Sequence, residues 1–149
     1  MKTKDLFPTH YLLIAILLMV ALHFLFPVAR IIPLPWIAYG LVPLAIGIAI
    51  NLIADKAFHQ ANTTVKPFEE SASLITEGVF RYTRNPMYLG FVLILIGIAL
   101  MFGSLSPWLI VPIFAIMMDF MFIRPEERML DVQFGPAWLD YKARVRRWI

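Results

Sequence analysis

Residues 81–90 read RYTRNPMYLG and stand between a polar connector and the longest charge-free run in the chain. Two arginines, an Asn-Pro pair and a tyrosine at the edge of an apolar segment are groups that can recognise a charged ligand. Arg84 can pair with an anion, and Tyr88 or Phe80 can pack on a planar or cationic group. Farther along, Asp119 lies inside an apolar run and Arg124-Pro125-Glu126-Glu127 follows it. Glu126 or Glu127 can accept from a hydroxyl or an ammonium. Each residue also has a plainer reading. Arg81 and Arg84 act as topology anchors, Asn85 caps a helix, Tyr88 joins an interfacial aromatic belt, and the Glu pair balances a helix dipole. Asp119 is either a carboxylate paired with Arg124 near the interface or a pocket residue paired with Asn51.

Composition sets what must position these groups. The 149 residues are 60% hydrophobic and 15% charged, with mean hydropathy +0.76. That is too apolar for one soluble core of this size, so a membrane protein is expected. There is no cysteine, and His10, His23 and His59 are scattered. Neither a disulfide framework nor a metal site is therefore expected. The net charge is +3, but the basic residues flank apolar segments instead of forming a stripe with aromatics between them. They read as topology charges, and no nucleic-acid partner is expected.

Residues 11–29 and 34–54 carry no charge, each close to the roughly 20 residues that cross the hydrocarbon as a helix. The first is expected to be an uncleaved anchor. Residues 85–118 are also uncharged but are interrupted by Gly103-Ser104-Leu105-Ser106-Pro107, which predicts a tight helical hairpin with arms of about 25 Å. The expected fold is an all-α integral membrane domain over residues 1–149. Its four transmembrane helices lie at about 11–29, 35–54, 87–102 and 107–123, with a cytoplasmic connector at 55–86 and a cytoplasmic tail at 124–149. Pro86 opens the third span after extended chain at Arg84-Asn85. Gly90 and Gly97 permit close helix packing and offer a lipophilic molecule a way in from the side. His23 is expected to hydrogen-bond between helices. In the tail, Arg124-Pro125-Glu126-Glu127 reads as a helix start and Phe134-Gly135-Pro136 as its break. Trp138, Tyr141, Val145 and Trp148 then form one apolar face of an amphipathic helix expected to lie on the membrane surface.

Taken together these motifs carry a resemblance. Leu74-Ile75-Thr76-Glu77-Gly78-Val79-Phe80, then Arg84-Asn85-Pro86-Met87-Tyr88-Leu89-Gly90, a hairpin, Glu126-Glu127-Arg128-Met129-Leu130, Phe134-Gly135 and Tyr141 to Arg147 follow in order. This order resembles the isoprenylcysteine carboxyl methyltransferase and phospholipid methyltransferase group of integral-membrane methyltransferases, over roughly residues 62–149. The resemblance implies S-adenosylmethionine as methyl donor, bound at the cytoplasmic side under the connector and tail. It implies that Ser73, Leu74, Ile75 and Phe80 line the cofactor, that Asn85, Pro86, Met87 and Tyr88 cradle it, and that Glu126 or Glu127 holds a polar end. Arg84 then pairs with the donor's carboxylate, and Arg84, Tyr88, Asp119 and Arg124 stand where transfer occurs. The implied acceptor is a lipophilic small molecule, lipid or lipidated substrate carrying a carboxylate, amine or thiol, reached through the lipid bilayer. Prenylcysteine enzymes of the group carry histidine at the place of Asn85, and their substrate-holding arginine falls near Phe122, with Arg124 the nearest substitute. Two other classes compete. One is a small four-helix transporter using Asp119, and the other is a non-catalytic membrane scaffold.

Orientation follows from the basic residues, which are retained in the cytoplasm. Of the 13 Lys and Arg, only Arg30 falls on the side opposite the connector, tail and N-terminus. A multi-pass inner-membrane protein with both termini inside is expected. Reporter fusions should place both termini and residue 65 in the cytoplasm and the 103–107 turn outside. An externally accessible residue 65 would contradict a cytoplasmic site.

Overall fold

The computed structural model describes residues 7–63 and 72–149. Among them every extended element is helical. Apolar runs without charge leave each backbone group to be satisfied within its own helix, as a hydrocarbon environment demands. α1 is Pro8–Leu25, α2 is Leu41–Gln60 behind a 3-10 turn at Trp36–Gly40, and α3 is Pro86–Phe102. Three helical stretches among the described residues are long and apolar enough to cross a membrane: Pro8–Leu25, Trp36–Gln60 and Ser106–Phe134. α3 is equally apolar but has 17 residues. Lys2, Lys4 and Lys66, and the reporter position Val65, lie outside the described residues.

Proline at its first position starts α3, where its missing N–H is no loss. Asn85 does not cap it. Its side-chain Nδ2 donates instead to the Arg147 carbonyl at 3.0 Å, because the C-terminal chain lies against this end of the helix. At the other end Gly103 adopts φ +67° and its N–H closes onto Ala99 and Leu100. The Gly103 carbonyl accepts from Ile31 at 2.8 Å and Ile32 at 3.1 Å, and Leu105 N–H donates to Ala29 at 2.8 Å. The two non-helical loops at this end thus satisfy each other. His23 Nδ1 and Ser104 Oγ are hydrogen-bonded at 2.7 Å, so His23 ties a helix to this loop rather than to another helix.

The tail does not begin a separate helix at Arg124. α4 (Ile110–Met118) runs through a π-helical turn at Asp119–Ile123 directly into α5 (Arg124–Phe134). The Arg124 N–H reaches the carbonyl of Asp119, five residues back. Proline inside an α-helix clashes with the carbonyl four residues earlier, and the wider π turn makes room for Pro125. The result is one helical rod, Ser106–Phe134, that carries Asp119 and Glu126 on the same element.

Two apolar cores result. In the larger, Met19 of α1, Leu95 of α3 and Phe114 and Met118 of α4 are almost fully buried, with Ile123 at its lower end. The smaller joins Ala54 of α2, Phe80, and Trp138 and Tyr141 of α6 (Pro136–Arg144). The apolar face of α6 is therefore buried against protein, not laid on lipid. Its helix ends at Arg144, and the extended residue Val145 still fills that core.

α2 and α3 cross with glycine on both sides. A β-carbon on Gly97 would sit 2.7 Å from the Gly40 carbonyl oxygen, and one on Gly90 would sit 2.8 Å from that of Gly47. Gly40 and Gly47 are seven residues apart on one helix, as Gly90 and Gly97 are on the other, so two backbone-to-backbone contacts repeat along an antiparallel pair. α2 covers the glycines, which consequently offer no side opening. Gly97→Ala should lower unfolding stability in detergent by about 1–3 kcal/mol, because the facing atoms are rigid backbone. Leu52→Ala, on the exposed face of α2, should change it little. An unaltered thermal midpoint for Gly97→Ala would contradict the close crossing.

Candidate functional site

The cavity that gathers the singled-out residues has a volume of about 250 Å³ and lies where α3 begins. Arg84, Asn85, Pro86, Met87 and Tyr88 form one wall, and Phe80 and Glu126 contribute from the connector and α5. The remaining wall was not foreseen. Phe7, Pro8 and Thr9 at the start of α1, Phe58 at the end of α2 and Phe91 of α3 complete it. They carry no pattern beyond hydrophobicity in the sequence, and only the packing of α1 and α2 beside α3 brings them here.

The elbow before α3 is held from several directions. Thr83 Oγ1 accepts the Asn85 N–H at 3.2 Å and donates to the Arg147 carbonyl at 3.2 Å. The Arg84 N–H donates to the Arg146 carbonyl at 3.0 Å. Tyr141 OH donates to the Phe80 carbonyl at 2.7 Å, and burial pushes that phenol up to about 12 against a smaller opposite pull from Arg84. Connector, elbow and C-terminal chain thus form one hydrogen-bonded body.

Within the cavity, Tyr88 OH donates to Glu126 Oε1 at 2.8 Å. The Tyr88 ring lies against Phe91 and Phe122, with centroids 6.4 Å and 6.2 Å away, so its hydroxyl is aimed by packing. Arg84 sets one nitrogen, Nη2, 3.3 Å from Glu127 Oε1, and both side chains are over nine-tenths buried. Its guanidinium carbon stands 5.7 Å from the centre of the Trp138 ring. Arg84 Nε and Nη1 are buried without a hydrogen-bond partner among the described residues. An unmatched buried donor costs about 1–3 kcal/mol, more when charged, and a bound anion would remove that penalty.

Glu127 does not line the cavity. It lies behind it, shared between Arg84 and Arg147, whose Nη2 and Nε reach it at 2.6 Å and 3.2 Å. Asp119 does not pair with Asn51, whose Nδ2 donates to the Gly47 carbonyl at 2.9 Å on its own helix. Asp119 instead accepts from Arg124 at 2.7 Å and from Arg147 at 3.2 Å. Arg124 also lies over the Phe120 ring at 3.9 Å. The Glu127 carboxylate, then Asp119, hold the Arg147 guanidinium above its ordinary pKa. Asp119 and Arg124 are thus outside the cavity walls. So are Ser73, whose hydroxyl donates to the Ala61 carbonyl at 3.3 Å, and Leu74 and Ile75, which pack on the smaller core. Arg147 is the residue that sequence reasoning missed. It was counted among the topology charges, and nothing local marks an ion pair spanning 28 residues to Asp119.

The arrangement has the groups to meet a ligand with charges of both signs. A guanidinium with unmatched donors, a carboxylate oriented by a phenol, and apolar surface from Phe7, Phe58 and Met87 share one enclosure. Two comparisons with known proteins place the chain among others. A protein of Haemophilus influenzae, described as uncharacterized, is 40% identical over 63 residues, which is 42% of this chain and the whole of that protein. A profile of the phospholipid methyltransferase family matches residues 35–137, which include the elbow, Tyr88, Glu126 and Glu127. The match covers more than half of the sequence, and the chain belongs to the phospholipid methyltransferase family.

Proposed function

We propose that this protein transfers a methyl group from S-adenosylmethionine to a lipophilic acceptor at the cytoplasmic face of the inner membrane. The observation that carries the reading is the cavity's pairing of Arg84, with two unmatched buried donors, and the Tyr88–Glu126 carboxylate within apolar walls. The residues fit that donor. Arg84 would hold its carboxylate, Glu126 its ammonium or a ribose hydroxyl, and Phe80 and Tyr88 would give aromatic surface to adenine or sulfonium. When bound, S-adenosylmethionine supplies an electrophilic methyl group on sulfur.

The chain's own contribution is positioning and exclusion of water. Tyr88 fixes the Glu126 carboxylate, and the ring packing around Tyr88 keeps that geometry. The start of α1 and Phe58 supply apolar surface beside the charged groups, suited to the hydrophobic body of an acceptor. A carboxylate or thiolate head needs no strong base, whereas an amine must be neutral when it attacks. In this reading α3 is a fourth span, the whole chain is one domain, and the elbow and tail form a cap on the cytoplasmic side, consistent with the basic residues gathered there. The transporter reading is disfavoured, since Asp119 is tied to two arginines and is not free to couple an ion.

Isothermal titration of the detergent-solubilised protein with S-adenosylmethionine tests the reading. The wild type should bind it, and Arg84→Ala, Tyr88→Ala and Glu126→Gln should each weaken binding by roughly ten- to a hundredfold, the equivalent of a charged hydrogen bond at about 1.5–3 kcal/mol. Absence of wild-type binding, or unchanged affinity in all three variants, would overturn it.

A further inference from the structure

We propose that Arg147 is a positioning residue for recognition of the donor's carboxylate, acting through Glu127 on Arg84; the inference rests on the donor reading above. Five charged side chains stand in a row: Arg84, Glu127, Arg147, Asp119 and Arg124. Arg147 is the middle member and contacts both carboxylates. Its fork engages both oxygens of Glu127, Nε on Oε1 at 3.2 Å and Nη2 on Oε2 at 2.6 Å. That leaves Arg84 a single longer contact of 3.3 Å to Oε1.

The division matters because a carboxylate and a guanidinium left alone form a two-bond fork. Without Arg147, Glu127 would turn fully onto Arg84 and take up one of the two nitrogens that are now unmatched. With Arg147 present, Glu127 fixes the Arg84 guanidinium and leaves Nε and Nη1 for a ligand. Arg124 is 42% exposed and solvent can meet its remaining donors, whereas the Arg84 side chain is 8% exposed. Within the row, the buried donors left unmatched among the described residues therefore belong to the arginine that lines the cavity, which it shares with the Glu126 carboxylate. The backbone of the same tail locks the elbow, with the Arg146 carbonyl on the Arg84 N–H and the Arg147 carbonyl on Thr83 and Asn85. Arg147 sets both where Arg84 stands and how much of it remains free.

The test compares S-adenosylmethionine with its decarboxylated form, which keeps the nucleoside, sulfonium and amine but lacks the carboxylate. Affinities are measured by calorimetry on the full chain in detergent. The wild type should prefer the carboxylate-bearing ligand by about tenfold or more. In Arg147→Ala this preference should collapse towards one, with affinity for the decarboxylated form retained. Arg147→Lys keeps a charge beside Glu127 without the fork and should show an intermediate preference; it also decides the matter if the alanine variant fails to fold. Variants that keep the wild-type preference, whether both affinities fall together or neither changes, would overturn the positioning role. So would a wild type that binds both ligands equally. A wild type that binds neither overturns the donor reading itself, and this inference with it.

Discussion

Two acids at the end of an apolar bundle have to be matched, Glu127 buried and Asp119 largely so, and the way they are matched organises the rest of the molecule. A buried charge is tolerated only with a partner and further hydrogen bonds. Here the partners come from three separate stretches of chain: Arg84 before α3, Arg124 on the long helix and Arg147 near the C-terminus. Satisfying the acids therefore forces the elbow, the rod and the tail together. The cavity forms at that junction, lined by Arg84, whose buried Nε and Nη1 have no hydrogen-bond partner among the described residues.

The apolar half of the molecule works on different physics. Between helices in hydrocarbon there is little hydrophobic drive, so close packing must supply the attachment. The glycines at 40 and 47 against 97 and 90 bring the α2 and α3 backbones into contact, and α3 becomes the helix on which α1, α2 and α4 all pack. This placement fixes the first turn of α3, where Met87 and Tyr88 project into the cavity. It also brings the start of α1 and the end of α2 to the same cavity, so apolar walls stand beside charged groups.

Much of this was legible in the sequence, for identifiable reasons. Hydropathy marks helices by length alone, so the apolar segments and the turn at Gly103 could be read directly, and Pro86 marks the start of α3 because proline tolerates no other place in a helix so well. The elbow residues and Glu126 could be grouped because their order and spacing recur in a family. What escaped depends on tertiary structure. Pro125 looked like a helix start, yet a π turn carried the helix through it. Gly90 and Gly97 could be read as sites of close helix packing, but the lateral opening also expected there is filled by the backbone at Gly40 and Gly47. The apolar side of α6 looked ready for the membrane but meets Phe80 and Ala54 instead. Asp119 looked like a neighbour of Asn51 or Arg124, and only the second held, with Arg147 added from 28 residues away.

In the proposed reaction a water-soluble donor and a lipid-soluble acceptor meet at a membrane surface, between the charged junction and the apolar walls. The most direct measurement reconstitutes the purified protein in liposomes with methyl-labelled S-adenosylmethionine and offers matched acceptors, apolar and hydrophilic, bearing the same amine, thiol or carboxylate heads. Label is expected in the lipid-soluble products. Label confined to the hydrophilic acceptors, or no transfer to any of them by protein that binds the donor, would contradict it.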